Sequence, residues 1–299
     1  MAFHRRDLIH GAITAGAASV VAASPEENTG TISMPNKVVD TNVSLFQWPF
    51  RRLPLDEVDE LCLKLGQLGI TEAWASSFEG LLHRDIRSAN ERLLNTCQTR
   101  AELVPVGAIN PTLPDWKHDL HLCLGRSAMP GIRLFPGYHG YDLRDEVFGE
   151  LLATATKLRG FVQIAFAMED TRTQSHHMVA ANVDPRPLEH WMQKFPEARV
   201  QILNCRPSTS DKQIFSSIPR VVVDSSRVDG TDGVTTLASA IGIDRVLFGS
   251  HAPFLIPEAA CIRMLESGVS AADIKEMMST NADNFRKATT TTTTNHRWL

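Results

Sequence analysis

Eight short β-like runs, alternating with stretches of helical period, set the limits on what this chain can fold into. They cover Val38–Leu45, Thr71–Ala75, Leu103–Ile109, Gly131–Phe135, Phe161–Met168, Arg199–Leu203, Arg220–Asp224 and Arg245–Gly249. Between them apolar residues recur three or four apart, as at Val58, Leu61, Leu65 and Leu68, the spacing of one helix face. Strands that alternate with helices predict a parallel sheet, because each helix carries the chain back to begin the next strand in the same direction. Eight such repeats predict a single (β/α)8 TIM barrel over residues 37–287. That fold needs about 250 residues, and the chain has 299. An open doubly wound sheet is the alternative. Its nucleotide-binding form lacks support, since no glycine-rich phosphate loop follows the first run.

Residues 1–24 read as a separate export signal. Arg5-Arg6-Asp7-Leu8-Ile9 is a twin-arginine pattern, Gly11 to Ala23 is a mildly apolar Ala/Gly-rich run, and Val21-Ala22-Ala23 offers small residues for cleavage. A protein addressed in this way is expected to be exported, to the periplasm or beyond. The run is too weakly apolar for stable membrane insertion, which takes about 20 strongly apolar residues. Residues 25–36 read as a polar linker. Residues 288–299, with threonine at every position from Thr289 to Thr294, read as a disordered low-complexity tail.

The formal net charge is −4, with Lys and Arg dispersed along the chain. Neither nucleic acid nor an anionic membrane is an expected partner of such a surface. The five cysteines (Cys62, Cys97, Cys123, Cys205 and Cys261) are widely spaced, with no CxxC pair. That argues against a disulfide framework and against a structural zinc site. Reduced thiols suit a domain that folds in the cytoplasm before export.

Near the end of the chain, Phe248-Gly249-Ser250-His251-Ala252-Pro253-Phe254 follows Arg245-Val246-Leu247. An apolar β run stops at Gly-Ser and presents a polar side chain beside a Pro, as barrel strands present site residues at their C-terminal mouth. The stretch resembles the last strand of the amidohydrolase-related (amidohydrolase-2) family, which reads R-(I/V)-L-F-G-S-D-x-P. Thr280-Asn281-Ala282 resembles the same family's closing segment. The resemblance covers Val38 to Lys287. It implies a TIM barrel that hydrolyses a C–N or C–O bond, or performs a lyase-type reaction. It also implies one divalent metal, held by an H-x-H on strand one, His residues from strands five and six, and an Asp from strand eight. Ligands of that kind let an ion lower the pKa of a bound water.

All five expected ligand positions differ in this chain. Asn42 and Ser44 stand for the two His of strand one, strand five ends without a His, Asn204 replaces the His of strand six, and His251 replaces the Asp. Amides, a hydroxyl and one imidazole offer little to a zinc-like ion. No cofactor is therefore expected, with a divalent metal such as zinc as the alternative. A mouth lined by Asn42, Ser44, Asn204 and His251 still predicts a pocket for a small molecule. In this reading His251 is the general base, and Asn42 and Asn204 donate to a developing oxyanion beside Ser44. Arg133, on strand four, is placed to hold an anionic substrate, and His139 joins the binding set from the following loop.

Glu169-Asp170, His176-His177 and the aromatic-basic loop Trp48-Pro49-Phe50-Arg51-Arg52 lie near the same rim. So do Asp224, Arg227 and Asp229, with Asp224 best placed to pair with His251. The expected function is hydrolysis, or a lyase-type reaction, on a small anionic substrate. A non-catalytic small-molecule binding protein on the same scaffold, a pseudoenzyme, is the alternative. Homo-oligomer formation is left open.

Overall fold

The computed structural model describes residues 33–230 and 232–287. The expected signal at 1–24, most of the linker and the tail at 288–299 lie outside the described residues.

The strands are β1 (Val39–Leu45), β2 (Glu72–Ser77), β3 (Leu103–Pro105), β4 (Gly107–Ala108), β5 (Gly131–Leu134), β6 (Phe161–Ala165), β7 (Val200–Leu203), β8 (Val221–Asp224) and β9 (Val246–Leu247). Every pairing between them is parallel. The ladders run β1-β2-β3 and β4-β5-β6-β7-β8-β9. All eight predicted runs are therefore strands, but the third is split. Pro105 has no N–H to continue a ladder, and Val106 instead donates to the Ala75 carbonyl at 2.8 Å, which ties the two ladders together.

At the far side Thr41 N donates to Phe248 O and His251 N to Asn42 O, each at 2.9 Å. The end of β9 thus meets β1, although no single ladder runs all the way round. The fifth run stops at Ala165 rather than Met168, and the eighth shrinks to two residues.

Helices cover the outer face of the sheet. Helix Val58–Gln67 buries Leu61 and Leu65 against it, with Asp59 and Glu60 in its first turn and Lys64 in its last, the order the helix dipole favours. Strands β1, β5, β6, β7 and β8 are buried along their whole length, as expected when both faces of a parallel sheet are covered.

At the N-terminal ends of the strands the inner face is floored by Trp74, Phe161 and Phe285. Trp74 stacks on Phe161 with centroids 4.9 Å apart, and Phe161 lies 5.4 Å from Phe285. Gly131 opens β5 because a Cβ there would sit 2.3 Å from the Phe161 ring. Phe285 belongs to the last helix, Asn281–Lys287. Asn281 Nδ2 donates to Val246 O at 3.0 Å and to Ile243 O at 2.8 Å, clamping the start of β9. The five cysteines are free thiols. Among the described residues no helix is long and apolar enough to cross a membrane.

Candidate functional site

Above the aromatic floor lies a solvent-sealed band of polar side chains. Arg133 on β5 pairs in register with Gln163 on β6, which pairs with Gln201 on β7. The register sets the three side chains in a row. Arg133 Nε donates to Gln163 Oε1 at 2.8 Å, Gln163 Nε2 to Gln201 Oε1 at 2.8 Å, and Gln201 Nε2 to Thr41 Oγ1 at 2.6 Å. Arg133 Nη1 also donates to Val43 O at 3.0 Å and Ser44 Oγ at 3.3 Å.

Arg133 is 1% exposed, and the oxygens it touches are all neutral. Burial pushes its pKa down to about 9, against the opposing pull of Asp224 and Asp40. The side chain points inward as expected, yet its donors are engaged within the protein. It supplies positive charge to the interior rather than an open fork.

One layer toward the strand ends, Asn42, Asn204 and Asp224 form a second network. Asn42 Nδ2 donates to Asn204 Oδ1 at 2.7 Å and to Asp224 Oδ2 at 2.6 Å. Asp224 Oδ1 accepts from Asn204 N at 3.0 Å, and Ser226 Oγ donates to Asn204 Oδ1 at 3.1 Å. Asp40 Oδ1 accepts from Asn42 N at 3.0 Å and Ser250 N at 2.9 Å, while Asp40 Oδ2 has no partner. Burial raises both carboxyl groups to a pKa of about 6, and their hydrogen bonds hold the rise in check.

Gly249 completes the packing. A Cβ there would lie 2.8 Å from Asp224 Oδ2 and 3.0 Å from Asn42 Cβ. Asn204 and His251 both sit in left-handed backbone, at φ 59° and 58°, a costly conformation that collects at functional sites.

His251 is fully buried. Its Nε2 lies 2.7 Å from Met168 O. A carbonyl only accepts, so Nε2 carries the proton and Nδ1 keeps its lone pair. That Nδ1 has no partner. The expected pairing with Asp224 does not form, because both Asp224 oxygens are taken by Asn42 and Asn204. Burial pushes the imidazole pKa down to about 3, with Arg227 and Arg133 pushing the same way. Phe254 stacks on the ring with centroids 5.1 Å apart.

Above it, Trp48 packs edge-on against Phe50, Phe78, Tyr138 and Phe254. The loop after β1 therefore caps the strand ends. Trp48 Nε1 and Tyr138 OH are buried in this cap without partners. His139 stands apart from these networks. Its Nε2 lies 3.0 Å from Gly80 O, and burial pushes its pKa down to about 4.

Solvent reaches the strand ends beside β6, β7 and β8, in a cavity of about 260 Å³. Asn204, Glu169, Asp170, Arg206 and Arg227 line it. Glu169 is held by Arg51 at 2.8 Å. Asp170 pairs with Arg172 at 2.9 Å and with Arg206 at 3.2 Å, which lowers its pKa far below the usual carboxylate range. Of the residues expected at the site, Asn42, Asn204, Ser44, Arg133 and His251 fall in or beside the two networks, and His139 does not.

Gln163, Gln201 and Arg206 were not anticipated. For Gln163 and Gln201 the signal was available, as a lone polar residue in the middle of an apolar strand.

No family model matches the sequence, and no curated protein matches it. Solved structures do. The 2,6-dihydroxybenzoate decarboxylase from Rhizobium is 14% identical with a TM-score of 0.67, over 84% of this chain and 98% of that one. A 5-carboxyvanillate decarboxylase from Novosphingobium aromaticivorans, solved with bound manganese and a nitrobenzoic acid, is 16% identical with a TM-score of 0.66, over 84% and 97%. A dihydroxybenzoic acid decarboxylase from Polaromonas, with manganese and 2-nitroresorcinol, is 13% identical with a TM-score of 0.66, over 85% and 97%. The chain has the fold of these enzymes.

Manganese in structures of this fold overturns the expectation that no cofactor is needed, and points to a divalent ion. The donors of this chain do not fit one as they stand. Among the described residues no group of three or more His, Cys, Asp or Glu converges. Both Asp224 oxygens accept from neighbouring amides, and Nε2 of His251 is committed to a carbonyl.

Proposed function

We propose that this chain is an amidohydrolase-fold enzyme, of lyase or hydrolase type, acting on a small anionic substrate at the C-terminal mouth of a (β/α)8 barrel. One observation carries the reading: Asn42 on β1, Asp224 on β8, Asn204 just past β7 and His251 in the segment after β9 gather at the strand ends, where barrel enzymes place their chemistry. The structural neighbours act on aromatic acids, which makes hydroxybenzoates the first substrates to try. In this proposal His251 is the base, since Nδ1 is its unpartnered lone pair, and it takes a proton from water or from a substrate hydroxyl. Asn204 Nδ2, held only by a 3.7 Å contact to Met168 Sδ, is the donor left for substrate oxygen. Arg133 and Ser44 set the charge and polarity beneath.

The test is a panel of hydroxybenzoates and aryl amides, read by carbon dioxide release and by hydrolysis, with and without added manganese. Turnover of at least one compound is expected. His251→Asn should lower kcat by about 100-fold or more while affinity stays within a few-fold. Saturable binding with no turnover across the panel would refute the catalytic reading. It would favour a small-molecule binding protein, which the complete burial of His251 under Phe254 already supports.

A further inference from the structure

We infer that the cavity beside β6, β7 and β8 is a docking site for an organic carboxylate, with Arg227 as the residue that grips it. This rests on the barrel-mouth site proposed above and names the part of the ligand that enters first.

Arg227 follows β8, is 7% exposed, and lines the 260 Å³ cavity. Among the described residues its guanidinium makes no hydrogen bond and no ion pair. The other charged groups around the cavity are already matched. Arg206 bridges Asp170 at 3.2 Å and Asp229 at 2.9 Å. Glu169 is held by Arg51. Asp211 closes the capping box of helix Thr209–Ser217 with Ser208. Arg227 feels Asp170, Asp229 and Asp224 only through space, with Arg206 opposing them.

A nearly buried guanidinium is normally paired, since desolvating an unpaired cation is unfavourable. A carboxylate arriving in the cavity would remove that penalty and match the fork with two parallel hydrogen bonds.

The walls favour an organic acid over an inorganic anion. Phe166, Ala167 and Val183 line one side and leave an apolar surface for a carbon skeleton. Asn204 lines the cavity and also belongs to the buried Asn42–Asp224 network. The charge on Arg227 reaches His251 as well, where it helps to depress the imidazole. A carboxylate seated on Arg227 is thus one residue away from the proposed chemical centre.

The experiment titrates the full chain with benzoate, benzamide and inorganic phosphate, reading heat of binding and the shift in Tm. Benzoate should bind saturably and raise Tm. Benzamide, of the same shape without the charge, should bind about tenfold more weakly or less, and phosphate should not displace benzoate. Arg227→Gln should lose about tenfold or more in benzoate affinity, and Arg227→Lys should recover part of it. Without ligand, Arg227→Gln should melt no lower than the wild type, because no hydrogen bond is lost.

Benzoate binding within twofold of wild type in both variants would overturn the inference. So would equal affinity for benzamide, or displacement of benzoate by phosphate. If benzoate binding depends on Arg227 but no substrate turns over, the docking site stands and only the catalytic reading falls.

Discussion

At the residue scale, His251 and Asp224 have opposite dependences on pH. The folded pKa of His251 is about 3, below its ordinary 6.5. The unfolded chain therefore takes up the proton first on acidification. The stability His251 contributes is complete above about pH 6.5 and is lost as pH falls toward 3. His139, pushed down to about 4, follows the same sign. Asp40 and Asp224 are raised to about 6. Their contribution is present below the ordinary carboxylate pKa and is lost as pH rises through 6. Between about pH 4 and 6 the two pairs oppose each other. His251→Gln removes one member, so the stability gap between wild type and variant should be wider at pH 7 than at pH 4.5. Urea unfolding at both values measures it. A gap independent of pH would show that the imidazole takes up its proton in the fold at the same pH as in the unfolded chain, and a gap wider at pH 4.5 that it carries its proton in the fold.

At the scale of elements, strand position fixes what each side chain can do. Gly131 starts β5 against the Phe161 ring, which Trp74 and Phe285 hold on its other contacts. Gly131→Ala should therefore cost about 1–3 kcal/mol by overpacking, read as a lower midpoint in urea with an unchanged m-value. Wild-type stability in that variant would mean that the floor is loosely packed.

The strands were legible in the sequence because each is a run of β-branched and apolar residues bounded by turn or helix signals. The split at Val106 was not, since the choice between β2 and β5 as partner is made across space. Asn42 and Asn204 were found through the motif positions they occupy. Their bond to each other, and the capture of Asp224 away from His251, depend on how far β1, β7 and β8 approach. Spacing along the chain carries no record of that distance. His139 lies away from these networks because Pro136–His139 forms a short helix after β5, which turns the ring toward Gly80.

For the molecule as a whole, we propose that residues 1–24 direct export of an already folded domain, in keeping with five free thiols. Replacing Arg5 and Arg6 together with Lys should hold the protein in the cytoplasm, and normal periplasmic levels of that variant would end the proposal. The cap over the strand ends has a separate consequence. Phe254 lies flat on His251, and Arg51 lies 5.1 Å above Phe254 while gripping Glu169. No ligand can touch Nδ1 until that stack parts. Encounter with the imidazole is therefore a matter of frequency, set by how often a ring and an ion pair swing away, on the microsecond-to-millisecond clock of loop motions. Phe254→Ala would take away the waiting time. His251 should then titrate closer to 6.5 by NMR, and association of an aromatic acid should quicken while its dissociation quickens too.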